Sequence, residues 1–237
     1  MDLELLKKKY LGIPEGSLMQ AAVLRDVMEE KVWPRRLDLE GGFHRDAALG
    51  RKTKDELHQE LVDLSQVRGL FPPEIDGVGM PWIMEFLYPS IEELSRGDCG
   101  LLMDTLVPGW AYLAATKAPN MEDYGALFTG PDMHHACLAM TEPHGGANIL
   151  DESMEGKTIR TTAVLDGDDY VINGTKLWPS GSGEAEYFMT VCTTDPTLGD
   201  EGICLLYHPR DVEGLSTGPN IPKMGMIFTD FNGWIKY

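Results

Sequence analysis

The sequence predicts an α+β protein, an all-helical N-terminal domain over residues 1–133 followed by an antiparallel β-barrel or sandwich over residues 134–237. Two observations carry this. Apolar residues recur at helical spacing in the first half, as at Leu24, Val27, Met28 and Val32. From about His134 the pattern changes to short runs rich in Val, Ile, Thr, Tyr and Phe, divided by Gly, Asp and Pro. The chain shows no internal repeat and no low-complexity tract.

Taken in order, a first helix is expected over Leu18–Trp33, stopped by Pro34. The stretch from Leu37 to Lys52, with Gly41-Gly42, reads as a loop. Thr53-Lys-Asp-Glu56 has the form of a capping box, Leu57, Leu61 and Leu64 make a stripe, and Gly69 suits the position past that helix's end. Pro81 fits a first helical turn, Pro89 a kink, and Asp98 a cap for a helix facing inward through Leu101, Leu102, Leu106 and Tyr112. Strands are expected over Ala136–Thr141, 157–165, Tyr170–Ile172, Thr175–Trp178, Ala185–Thr194, Gly202–Tyr207 and Met226–Asp230. Asp166-Gly167 marks one hairpin turn, and Asn173-Gly174 is the dipeptide that a type I′ turn selects.

Composition limits the partners. With 38 acidic and 20 basic residues the net charge is −18, which argues against nucleic acid or an anionic membrane as partner. Local backbone N–H groups can still bind an anionic ligand within an acidic protein. No apolar run approaches the roughly 20 residues of a membrane-spanning helix, and the N-terminus carries no signal-like apolar region. Cys99, Cys137, Cys192 and Cys204 are dispersed with no CxxC pair, so reduced thiols and a cytoplasmic location are expected. His134-His135 do not suggest a metal site, because neighbours on a strand point to opposite faces.

Three stretches carry a resemblance: Ala139-Met-Thr-Glu-Pro143, Thr161-Thr-Ala-Val164 and Asp166-Gly-Asp-Asp-Tyr-Val-Ile-Asn-Gly-Thr-Lys-Leu-Trp178. In this order and spacing they resemble the middle β-domain of the acyl-CoA dehydrogenase family, flavoproteins that desaturate acyl-CoA thioesters. Gly69–Met80 and Glu92-Glu93-Leu94 are similar to the family more loosely. The resemblance implies FAD as cofactor, with Thr141 as the hydroxyl at the flavin, Leu138 and Met140 giving backbone contacts, and Trp178 and Ser180 packing against or bonding the ring. Ala147 stands where the family often has a substrate-contacting Ser, and Pro179 removes a backbone donor. Glu142 reads as a loop-ordering residue.

The resemblance further implies an acyl-CoA substrate, an electron-transferring flavoprotein as electron acceptor, and a long C-terminal helical domain that supplies the catalytic Glu. No carboxylate here matches that Glu, so no catalytic residue is assigned to this chain. The base is expected from a separate C-terminal-type helical polypeptide, or to have been lost by truncation. Two other readings compete. One is a non-catalytic flavin- or acyl-CoA-binding subunit of a heteromeric assembly; the other is an oxidase or hydroxylase of the same fold. An apolar face left uncovered by the missing helices implies an oligomer.

Overall fold

Among the described residues, seven α-helices precede the first strand: α1 (Leu3–Lys9), α2 (Glu15–Val27), α3 (Arg36–Leu39), α4 (Ala47–Asp63), α5 (Met84–Gly97), α6 (Cys99–Leu113) and α7 (Met121–Thr129). The structure is a computed structural model that describes residues 3–114, 116, 118, 121–146, 153 and 159–237. The chain forms two units. One comprises Met1–Tyr112, Thr116–Met133 and Pro222–Asp230, and the other Leu113–Ala115, His134–Ile221 and Phe231–Tyr237. No helix among the described residues is long and apolar enough to cross a membrane.

The helical boundaries follow local hydrogen bonding, and several differ from expectation. α2 runs on into a π-helical turn over Met28–Val32 before Pro34. The expected loop over residues 37–52 instead holds α3 and the start of α4. Asp46 caps α4 by accepting the Ala48 N–H at 2.9 Å, so the helix begins well before Thr53, which lies buried inside it. At the other end Ser65 takes φ +59°, with Ser65 N–H donating to the Val62 carbonyl (2.8 Å) and Gln66 N–H to that of Leu61 (2.9 Å). That is a Schellman termination with serine where glycine is usual, so Gly69 is not needed as the stop. Pro81 precedes α5 rather than opening it, and α5 continues through Pro89. Asp98 does cap α6, its Oδ1 accepting from the N–H groups of Gly100 (2.8 Å) and Leu101 (3.0 Å).

The contact between α2 and α5 is organised by one carboxylate. Glu93 on α5 is fully buried and accepts from Tyr10 Oη (2.9 Å), Arg25 Nε (2.7 Å) and Arg96 (2.7 Å). Burial by itself would raise its pKa, but these donors outweigh it and hold the group at about 2, against an ordinary 4.5. A depressed carboxylate contributes stability that is present above its unfolded pKa and is lost as pH falls through its folded one. Beside a largely aliphatic interior, aromatic rings pack in pairs, with Phe71 against Tyr112 (ring centroids 5.0 Å apart) and Tyr124 against Phe128 (4.9 Å).

Met226–Asp230 does not form the expected strand. Among the described residues the helical unit offers it no partner strand, and it lies there as a turn-rich segment with Phe228, Thr229 and Asp230 buried. Glycines in two helices admit it. A Cβ at Gly50 of α4 would come within 2.7 Å of Phe228 Cγ, and one at Gly100 of α6 within 2.5 Å of the Thr229 carbonyl carbon.

The β unit holds β1 (Ala136–Ala139), β2 (Thr162–Asp166), β3 (Asp169–Asn173), β4 (Thr175–Leu177), β5 (Tyr187–Thr193), β6 (Ile203–Pro209), β7 (Ser216–Thr217) and β8 (Trp234–Lys236). They make two sheets, as the sandwich expectation requires. In the larger, β5 pairs antiparallel with β6 on one side; on the other it pairs in parallel with β1 and, at Thr193 alone, with β2, which carries β3. The smaller sheet has the order β4-β8-β7 and is antiparallel throughout. The two parallel pairings arise because β1, β2 and β5 are joined by long connections rather than by hairpins. Residues 157–158, the start of one expected strand, lie outside the described residues.

Asp166 faces Asp169 across a two-residue hairpin turn at Gly167, φ +64°, as the sequence suggests. Asn173-Gly174 is not a hairpin turn. Neither residue has positive φ, and β4 pairs with β8 rather than returning along β3. The glycine is required there by proximity, since a Cβ at Gly174 would sit 2.5 Å from Thr161 Oγ1.

Two outcomes follow for the helical unit. Acid titration of stability should show a loss between pH 4.5 and about 2 that Glu93→Gln reduces, measured by denaturant unfolding at each pH. Gly100→Ala should destabilise by about 1–3 kcal/mol through overpacking against Thr229, although alanine in an open helix position would stabilise by about 1 kcal/mol.

A candidate flavin-facing clasp at two strand ends

Thr141 and Trp178 each follow the end of a strand, β1 and β4, and the backbone ties those ends together. Leu177 N–H donates to the Thr141 carbonyl at 2.8 Å. Immediately before it, the Lys176 ammonium donates to the Met140 carbonyl at 3.0 Å. Two consecutive carbonyls of the β1 end are thus held by two consecutive residues of β4. Beyond Thr141 the chain doubles back, Glu142 and Gly145 exchanging backbone bonds of 2.9 and 3.1 Å, and Gly146 comes against the Thr141 methyl.

Glu142 anchors this bend. Its carboxylate is buried and accepts from Lys176 Nζ (2.7 Å), Thr161 N–H (2.9 Å) and Arg160 N–H (2.8 Å). Burial works to raise its pKa, but the donors of Lys176 and Thr161 outweigh that and hold it below the usual carboxylate range. A carboxylate so engaged is a weak base, and its lone pairs are directed into the protein. The geometry accordingly fits a loop-ordering role for Glu142.

Trp178 departs from ordinary backbone. Its φ is +60°, a left-handed conformation that costs a non-glycine residue on the order of 1–3 kcal/mol. Its N–H donates to the Gly233 carbonyl at 2.8 Å and its own carbonyl accepts from Asn232 Nδ2 at 2.8 Å. Trp178 is 58% exposed, which distinguishes it from a core tryptophan and leaves the residue accessible to a ligand. Thr141 is half-buried, and neither its N–H nor its hydroxyl donates to a described residue. An available N–H, a hydroxyl and an exposed aromatic face are a donor set suited to a planar heteroaromatic ring with carbonyl edges.

The other expected site residues fall around this clasp. Leu138 lies in β1, half-buried and in register with Met189 of β5, and half-buried Met140 has its carbonyl engaged by Lys176. Ser180 is half-buried in the turn after Trp178, and Pro179 before it is buried. Ala147 lies outside the described residues. Sequence reasoning missed Lys176. Its signal was a lysine between Thr175 and Leu177 in a short strand, where alternation turns it inward. It also missed Asn232, for which no sequence signal is evident.

Removing one partner of the buried pair should be costly. Lys176→Met leaves Glu142 without its counter-charge and should destabilise by about 3–5 kcal/mol in urea unfolding. The double variant Glu142→Gln/Lys176→Met should cost less than the sum of its two single substitutions.

Known proteins resemble this chain in sequence and in fold. Residues 137–235 match the acyl-CoA dehydrogenase middle domain. The chain is 28% identical over 221 residues to the mitochondrial short-chain specific acyl-CoA dehydrogenase of Bos taurus, covering 90% of this chain and 48% of that protein. It is 29% identical over 217 residues to the cyclohex-1-ene-1-carbonyl-CoA dehydrogenase of Geobacter metallireducens, covering 90% and 53%. It thus spans about half the length of the curated relatives it matches. In fold it is similar to the acyl-CoA dehydrogenase of Bacillus anthracis solved in complex with FAD, with a TM-score of 0.75 at 23% identity, covering 95% of this chain and 36% of that one. Residues 137–235 thus match that family's middle domain, and the similarity to its acyl-CoA dehydrogenases extends along nine-tenths of the sequence.

Proposed function

We propose that this chain supplies the flavin-binding portion of an FAD-dependent acyl-CoA dehydrogenase. The observation that carries the reading is the clasp itself. Thr141 and Trp178 are fixed relative to one another by the bonds from Lys176 and Leu177, with the Thr141 donors available and the indole exposed. FAD, when bound, supplies a two-electron acceptor for the hydride that leaves the substrate β-carbon. The Thr141 N–H and hydroxyl would donate to the ring, Trp178 would cover part of it, and Leu138, Met140 and Ser180 would line its surroundings. By the family resemblance Ala147 is assigned to contact with the acyl-CoA, without the hydroxyl that a serine would bring.

The α-proton needs a base within hydrogen-bond reach of the substrate. Glu142 does not fit, being turned inward on three donors. Following the family resemblance, the base is assigned to a C-terminal-type helical polypeptide, and the reduced flavin would pass its electrons to an electron-transferring flavoprotein. The flavin-binding step is assigned to the β domain expected over residues 134–237, less 222–230, which belong with the helical domain of residues 1–133.

The test is direct. The purified chain should bind FAD and turn yellow, and Thr141→Val should weaken that binding about tenfold, roughly the worth of a well-placed hydrogen bond, by absorbance titration. Acyl-CoA alone should not bleach the bound flavin, whereas adding the helical partner should restore bleaching. A folded chain that refuses FAD would overturn the reading, and dehydrogenation by the chain alone would overturn the division of labour.

A further inference from the structure

Trp178 is held in its left-handed conformation by a segment far away in sequence. Both polar groups of its backbone are bonded to residues 232–233, its N–H to the Gly233 carbonyl and its carbonyl to Asn232 Nδ2, each at 2.8 Å. That segment is itself fixed from several sides. Asn232 N–H donates to Asn220 Oδ1 (3.0 Å), Ile221 N–H donates to the Asn232 carbonyl (2.8 Å), and Gly233 N–H donates to Ser182 Oγ (2.7 Å). Ser182 Oγ in turn donates to the Phe231 carbonyl at 3.2 Å.

Asn232 is the side chain that makes this arrangement specific. It is 7% exposed, and while its amide nitrogen bonds Trp178, its Oδ1 has no partner among the described residues. A buried amide half of whose bonding capacity goes unused is a poor choice for packing alone. What it gains is a directed donor at the one carbonyl that a strained tryptophan would otherwise swing away. Backbone strain persists only where the surroundings over-determine it. Here Gly233 fixes one end of the Trp178 peptide geometry and Asn232 the other.

We propose that Asn232 is a positioning residue, which through the Trp178 carbonyl holds the indole presented outward at the clasp. The bracing stands on the described hydrogen bonds; only the identity of what the indole meets rests on the flavin reading above. Asn232 touches no reacting atom and acts through Trp178.

The experiment uses the chain without and with FAD. It has five tryptophans, so the emission of Trp178 is isolated in each background as the difference from a Trp178→Phe counterpart. Asn232→Asp keeps the side-chain shape and removes the donor. It should shift the Trp178 emission and its quenching by acrylamide while far-UV circular dichroism stays unchanged, and should weaken FAD binding about tenfold, as the loss of one hydrogen bond would. A stability cycle gives a second readout. Asn232→Ala should lower the unfolding midpoint less in a Trp178→Gly background than beside tryptophan, because glycine adopts positive φ unaided. An unmoved Trp178 signal in both Asn232→Asp and Asn232→Ala, with the fold intact, would overturn the proposal, as would equal losses in the two backgrounds of the cycle. A shifted Trp178 signal with unchanged FAD affinity would support the brace and count against the flavin reading instead.

Discussion

The ion pair between Glu142 and Lys176 is the interaction on which the rest of the β unit's working edge depends. It joins three separate pieces of chain: the bend after β1, the approach to β2 through Arg160 and Thr161, and the short strand β4. Both side chains are almost wholly removed from water. Such pairs add little stability compared with a well-packed apolar substitute, because the desolvation of two charges offsets most of their attraction. Apolar side chains, however, would not fix direction. The carboxylate has its lone pairs assigned to two successive backbone N–H groups and one ammonium, and the ammonium has a further bond to the Met140 carbonyl. The pairing sets register between strand ends that share no ladder.

The layout was legible in the sequence because the period of its hydrophobic pattern changes near residue 134, and helix and strand differ in that period. The clasp was legible only through resemblance. Thr141 by itself is a hydroxyl at the end of a strand, and nothing in its neighbours says that its donors stay available. The boundaries failed where two signals competed locally. Thr53-Lys-Asp-Glu56 offered a capping box, but Asp46 offered a cap about two turns earlier with glycines before it to turn the chain, and the longer helix prevailed. Asn173-Gly174 failed for a different reason. A dipeptide reports which turns are permitted, while the pairing of β4 with β8 is decided by residues some sixty positions later.

The same nonlocality hid Met226–Asp230. Its composition is that of a strand, yet Phe228 and Thr229 are placed by absences elsewhere, the missing side chains of Gly50 and Gly100. Propensity describes a residue's own preferences and carries no information about a notch in a distant helix. Asn232 was illegible for a related reason: it matters through a bond to a main-chain carbonyl, and main-chain partners leave no trace in side-chain patterning.

That short insertion also governs how the protein can be dissected. Because 222–230 completes the helical unit from within the later part of the chain, an excised piece ending at residue 133 would carry two open sockets, one lined by α4 and one by α6. The complementary piece would carry their apolar plug, Phe228, with nothing to receive it. Proteolytic or recombinant halves of this molecule are therefore unequal to its two units, and a plug peptide spanning 222–230 would be the natural additive for anyone handling the helical half by itself.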